Sequence, residues 1–248
     1  MSASPQERAL RRDAFRKMNA REKLDYIFTY YKLPILLGVI ALAVIGSAVH
    51  RQLTKKEAVL YAAFINVSVG ESLEDTLTTR FIARSGESVR KNEVYLYRDL
   101  YLSDDASVVN HEYAYASRLK LLGAINAKKL DLVLMNREGY DILSQNGYLM
   151  DLSDLAAGDD ALRQHMASYL TENTVILEDN AIEYNLNESS SYEAVTEDAA
   201  NALAVTDLPV FRAAGFPDDV YLGVIANSAR TEWVLRYLDY LLAPSDVL

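Results

Sequence analysis

Read for apolar and polar positions, the chain opens on a charged, aperiodic stretch and then meets Leu33–Val49, LPILLGVIALAVIGSAV, a run of seventeen residues without a charge. Seventeen residues at about 1.5 Å of helical rise reach roughly 26 Å, slightly short of a hydrocarbon core of about 30 Å. Lys32 on one flank and Arg51 on the other extend the reach by snorkelling, so the run predicts a transmembrane helix over residues 33–53.

After residue 54 the period changes. Val59–Val67 is a continuous apolar run of strand length, closed by Asn66, Ser68 and Gly70. Glu71–Ser85 carries Leu73, Leu77 and Phe81 at steps of four and predicts an amphipathic helix ending near Gly86. Glu93–Leu100 alternates like a strand, and His111–Lys128 predicts a helix with Tyr115, Leu119, Leu122 and Ile125 on its apolar face. Asp131–Met135 is a short buried strand, followed by a helix from Asn136 that stops at Asn146-Gly147. Three strand–helix units in succession predict a three-layer α/β domain with a parallel sheet.

Two stretches carry a resemblance. Lys129–Leu155, KLDLVLMNREGYDILSQNGYLMDLSDL, resembles the segment of extracellular solute-binding proteins in which a "DLVL" strand is followed by a helix and a "GYLMDL" turn. Val220–Asn227, VYLGVIAN, with the helix carrying Val234, Tyr237, Leu238 and Leu241, looks like the late strand and final helix of the same type II periplasmic-binding-protein fold. The resemblance implies two lobes around a ligand cleft. Only about residues 153–206 remain for the second lobe, which is therefore expected to be truncated: a helix near Ala161–Leu170, a strand near Thr174–Leu177 and a polar turn at Asn185–Ser191.

Charge then sets orientation and excludes one class of partner. Residues 1–32 hold eight Lys or Arg against four acids, so a cytoplasmic basic tail and an extracytoplasmic domain over 54–248 are expected. Residues 57–248 hold 14 bases against 31 acids, which speaks against nucleic acid as a partner. The absence of cysteine removes disulfides, thiolate metal sites, cysteine nucleophiles and a lipidated-cysteine tether, leaving the helix as the anchor in the cell membrane. Gly46 and Ala48 satisfy a signal-cleavage pattern, but the long preceding tail and the apolar run through the site favour an uncleaved anchor.

No phosphate loop, nucleophile elbow or H-E-x-x-H motif is present, so no catalysis, cofactor or metal centre is expected. In open α/β sheets ligands bind outside the carboxyl ends of the strands. That rule nominates Asn66 and Ser68 after the first strand, Arg98, Asp99 and Tyr101 at the second, Asn136 and Arg137 after the third, and Asp207 on the return crossing. Among the 17 tyrosines, Tyr61, Tyr97, Tyr101 and Tyr221 are candidates for stacking on a sugar or peptide. Two functions stay open: capture of a small molecule or peptide, or use of a degenerate binding-protein fold to dock a membrane or envelope protein.

Overall fold

The structure is a computed structural model that describes residues 6, 19, 21, 32–47, 55–105, 110–186 and 191–243. The chain divides into two units, Met1–Lys55 and Lys56–Leu248. In the first, residues 32–47 form a helix whose side chains are all exposed. Among the described residues no helix is long and apolar enough to cross a membrane. The expected span of 33–53 thus has its described part in this helix, and its remainder lies outside the described residues.

The second unit is built on a six-stranded mixed sheet: β1 (Glu57–Ile65), β2 (Asn92–Leu100), β3 (Leu132–Met135), β4 (Leu170–Asp179), β5 (Ala194–Ala204) and β6 (Tyr221–Val224), in the order β2-β1-β3-β6-β5-β4. β1 pairs in parallel with β2 and β3, while β6 runs antiparallel to both β3 and β5, and β5 antiparallel to β4. The expected parallel sheet therefore covers only its first half.

Helices lie on both faces. α1 runs from Glu71–Asp75 through a π-helical turn, Thr76–Arg80, to Phe81–Arg84; α2 is His111–Asn126 and α3 Arg137–Gln145. The short helices α4 (Leu152–Leu155), α5 (Asp160–Met166), α6 (Ala181–Leu186) and α7 (Pro209–Arg212) precede α8 (Thr231–Leu242). The period-2 alternation of β1 divides the core: Leu60, Ala62 and Phe64 pack with Leu73, Leu77 and Phe81 of α1 and with Val234, Tyr237 and Leu238 of α8. Ala63 and Ile65 face the other way, towards Leu121 and Ile125 of α2 and Tyr140 and Leu143 of α3.

Local chemistry accounts for the boundaries. Asn136 caps α3, its Oδ1 accepting from Gly139 N at 3.0 Å, and Gly147 ends the turn beyond it at φ +67°, where a side chain would be strained. Asp151 and Asp159 cap α4 and α5 in the same way.

Two sequence expectations change. The buried face of α2 consists of Ser117, Leu121, Ala124 and the expected Ile125, while Tyr115 and Leu119 are exposed. Apolar residues lie all round this helix, so periodicity could not select the face. Residues 153–206, expected as a second lobe, instead supply the β4–β5 hairpin, which extends the same sheet. A buried polar network fixes the hairpin's base: Tyr140 Oη donates to Asn201 Oδ1 (2.8 Å), Asn201 Nδ2 to Ser144 Oγ (2.8 Å), and Ser144 Oγ to Thr174 O (2.9 Å).

Candidate functional site

The carboxyl ends of β1 and β3 and the amino end of the antiparallel β6 meet at one rim of the sheet. There the side chains of Asp104, Asn136, Arg137, Glu138, Asp141, Ile142, Gln145, Asp218, Asp219 and Tyr221 line an open cavity of about 940 Å³. Five of its side chains are acids and one is a base, so the field within it favours cations and hydroxyl donors over anions.

Of the eight nominated residues, Asn136 and Arg137 line this cavity and the other six do not. Several of the eight have their polar groups engaged by the domain itself. Asn66, in the left-handed region at φ 57°, forms a reciprocal pair with Leu102: its Nδ2 donates to Leu102 O at 2.7 Å and its Oδ1 accepts from Leu102 N at 2.8 Å. This ties the end of β1 to the segment after β2. Arg137 donates Nε to both carboxylate oxygens of Asp141, at 2.9 and 3.1 Å, and lies over the ring of Tyr140. Asp141 and then Tyr221 hold the Arg137 guanidinium above its ordinary pKa.

Arg98 and Asp99 diverge. Arg98 forms a two-point ion pair with Glu74 of α1, Nε to Oε2 at 2.8 Å and Nη2 to Oε1. Asp99 sits at φ 59°, where the β1–β2 register shifts, and its backbone carbonyl accepts from Tyr113 Oη. Tyr101 stacks on Tyr113, with centroids 6.5 Å apart. Asp207 is exposed and pairs with Arg212 at 3.2 Å, and Ser68 is exposed in the loop after β1.

The tyrosines do not form one platform. Tyr61 lies under Arg230 at 4.5 Å and beside Tyr95, Tyr97 lies under Lys120, and Tyr221 stacks on Tyr140 at 4.9 Å. Among the described residues no group of three His, Asp or Glu is arranged to hold a metal ion. In the segment after β2, Asp104 pairs with Arg118 and Ser103 Oγ donates to Glu138.

Sequence reasoning missed Asp141, Asp218 and Asp219, while Tyr221, a stacking candidate, does line the cavity. The signal for the last two was the direction of β6: an antiparallel final strand brings its amino end, and the Asp218-Asp219 pair before it, to the rim where the parallel strands finish.

The Glu74–Arg98 pair gives an acid-side prediction. The hydrogen bond from Arg98 holds the Glu74 carboxyl below its ordinary pKa. A depressed carboxylate contributes stability that is present above its unfolded value and is lost as pH falls through the folded one. Glu74→Gln is therefore expected to flatten the fall of melting temperature below about pH 4.5, and to change stability at pH 7 by less than about 1 kcal/mol because the pair is partly exposed. Thermal melts across pH 3–7 measure both.

No protein-family model matches the chain, and no curated protein and no solved structure matches it.

Proposed function

We propose that this chain is a non-enzymatic interaction module anchored in a membrane by the helix around residues 33–53, its basic tail cytoplasmic and its α/β domain extracytoplasmic, and that it uses a degenerate solute-binding-like fold to dock another protein. The observation that carries the docking reading is the state of the expected crevice. Asn66, Arg98, Asn136 and Arg137 spend their hydrogen-bonding groups on the domain's own Leu102, Glu74, Gly139 and Asp141. The residues available for a second lobe supply a hairpin in the same sheet, and among the described ones none lines the cavity at the rim.

Support for the anchor comes from the apolar side chains of the helix over 32–47, among them Leu33, Leu36, Leu37, Ile40, Leu42 and Ile45, each at least half exposed to solvent. Lipid is the environment in which such a helix loses no free energy by showing apolar groups on every side. Because the natural chain has no cysteine, topology can be read with single introduced thiols. Ser153→Cys is expected to react with a membrane-impermeant maleimide on intact cells, and Ser4→Cys only after permeabilisation. The reverse pattern would invert the orientation.

One observation favours a second reading, solute capture: the 940 Å³ acidic cavity. The two readings separate in a thermal-shift screen of the full chain against sugars, amino acids, peptides and polyamines. Under the docking reading no small molecule raises the melting temperature saturably. A saturable rise that is lost in Asp218→Asn/Asp219→Asn, at about 2.7 kcal/mol for ligand at 100 times its dissociation constant, would make solute capture the function.

A further inference from the structure

The β4–β5 hairpin carries features that neither the core nor the crevice uses. Beyond its base, Leu177, Ile182, Tyr184, Tyr192 and Val195 are between 45 and 80 % exposed, a concentration of large apolar side chains on one arm. The arm is internally braced: Asn180 N donates to Glu193 O (3.1 Å), Asn180 Oδ1 accepts from Glu193 N (2.8 Å), Tyr192 Oη donates to Asp179 (3.1 Å), and Tyr184 and Tyr192 meet edge to face at 5.8 Å. A two-stranded arm that shows apolar groups to water and still holds these bonds is built to be covered.

Its outer strand, β4, is an edge of the sheet. Near the base, α3 and β4's own side chains satisfy that edge: Thr174 O accepts from Ser144 Oγ, and Thr174 N donates to Asn173 Oδ1. Thr174 therefore directs its backbone away from β5, and the antiparallel alternation directs Ile176 outward as well, with Val175 between them standing opposite Glu197 of β5. Among the described residues Ile176 has no partner on that outer side. The edge thus changes from covered to open at the point where the apolar surface begins.

Charge selects what covers it. From Gln164 to Phe211 there is no Lys or Arg, while Glu178, Asp179, Glu183, Glu193 and Glu197 lie on the arm. A second copy would bring acids against acids, and anionic lipid would be repelled for the same reason. We infer that the outer edge of β4 binds a basic, extended segment of another protein as an added strand, with Leu177 and Val195 receiving its apolar side chains and the glutamates its Lys or Arg. This rests on the docking reading above and names the partner's chemistry.

The test uses the full chain in nanodiscs of zwitterionic lipid and two labelled octapeptides, acetyl-(Lys-Val)4-amide and acetyl-(Glu-Val)4-amide. The expected result is saturable binding of the Lys-Val peptide alone, weakening with salt, with amide exchange over residues 174–179 slowed at least tenfold. Ile176→Pro, which removes an outward donor and leaves the β5 ladder in place, should abolish that protection. Since Ile176→Pro can disturb the strand, the exposed triple variant E178K/E193K/E197K supplies a second arm: it should lose the Lys-Val peptide and gain the Glu-Val one. Equal binding of both peptides, no binding of either, protection at β2 instead, or arm-to-arm dimers by sedimentation would each overturn the proposal. A saturable small-molecule shift in the thermal screen would instead sink the docking reading itself, so the two failures are distinguishable.

Discussion

Asp131→Ala is expected to lower the unfolding free energy of the α/β domain by about 3–5 kcal/mol, the range for removing one partner of a buried charged pair. Asp131 is completely buried at the amino end of β3. Its Oδ2 accepts from Tyr61 N on β1 at 2.9 Å, and its Oδ1 accepts from Ser228 Oγ at 2.6 Å and faces Arg230 Nη1 at 3.5 Å. Its backbone adds two rungs, Asp131 N to Tyr61 O and Ile225 N to Asp131 O. One carboxylate thus joins β1, β3 and the turn after β6. Removing it leaves the Tyr61 amide without an acceptor and Arg230, a quarter exposed, without its counter-charge. Asp131→Asn keeps the shape and an acceptor and should cost about half as much. Urea unfolding of both variants with circular dichroism measures the difference, and equal losses would mean that charge and not geometry is what Asp131 supplies.

This clamp was not legible in the sequence, where Asp131 reads as the polar first residue of a buried strand. What was legible is the parallel half of the domain, with β1 and β3 at its centre. The runs at β1 and β3 leave no alternative to a central position, and the Asn136 cap and the Gly147 stop follow from local chemistry alone. The middle of β4 was legible as the strand near Thr174–Leu177, but β5 and the hairpin pairing were not, because β5 mixes Thr, Glu, Asp, Asn and Ala and protrudes past the core. Their pairing is fixed by a single buried network, Tyr140, Asn201 and Ser144, whose members stand 57 or more residues apart except within α3. For the site, position after a parallel strand was enough to nominate Asn136 and Arg137. It could not show that Arg98 turns to α1, because a bulge at Asp99 re-aims the end of β2.

The second large effect is expected at the π turn of α1, which the apolar spacing does not announce. Leu73, Leu77 and Phe81 at steps of four read as a regular helix, yet Thr76–Arg80 is wound one residue wider. Such a turn displaces backbone carbonyls from their usual partners, and here two buried tyrosines of α8 serve them: Tyr240 Oη donates to Thr76 O at 2.9 Å and Tyr237 Oη to Leu77 O at 3.0 Å. Tyr237→Phe/Tyr240→Phe leaves both carbonyls unsatisfied by these donors and should cost about 2–6 kcal/mol, from about 1–3 kcal/mol for each buried group. Deleting the exposed Thr79 removes the extra residue of the wide turn. In the natural chain that deletion strands two hydroxyls and should destabilise; in the double Phe background it should restore stability, a reversal of sign that a double-mutant cycle reads directly. An alkaline titration provides an independent check. Burial raises the Tyr237 pKa above its ordinary 10.0, so the folded state keeps a proton that the unfolded chain releases. The stability associated with it is fully present below pH 10 and declines as pH rises further. The double Phe variant should therefore start less stable at pH 8 yet lose less between pH 10 and 11. Parallel alkaline curves for the two proteins would mean that these hydroxyls do not carry the turn.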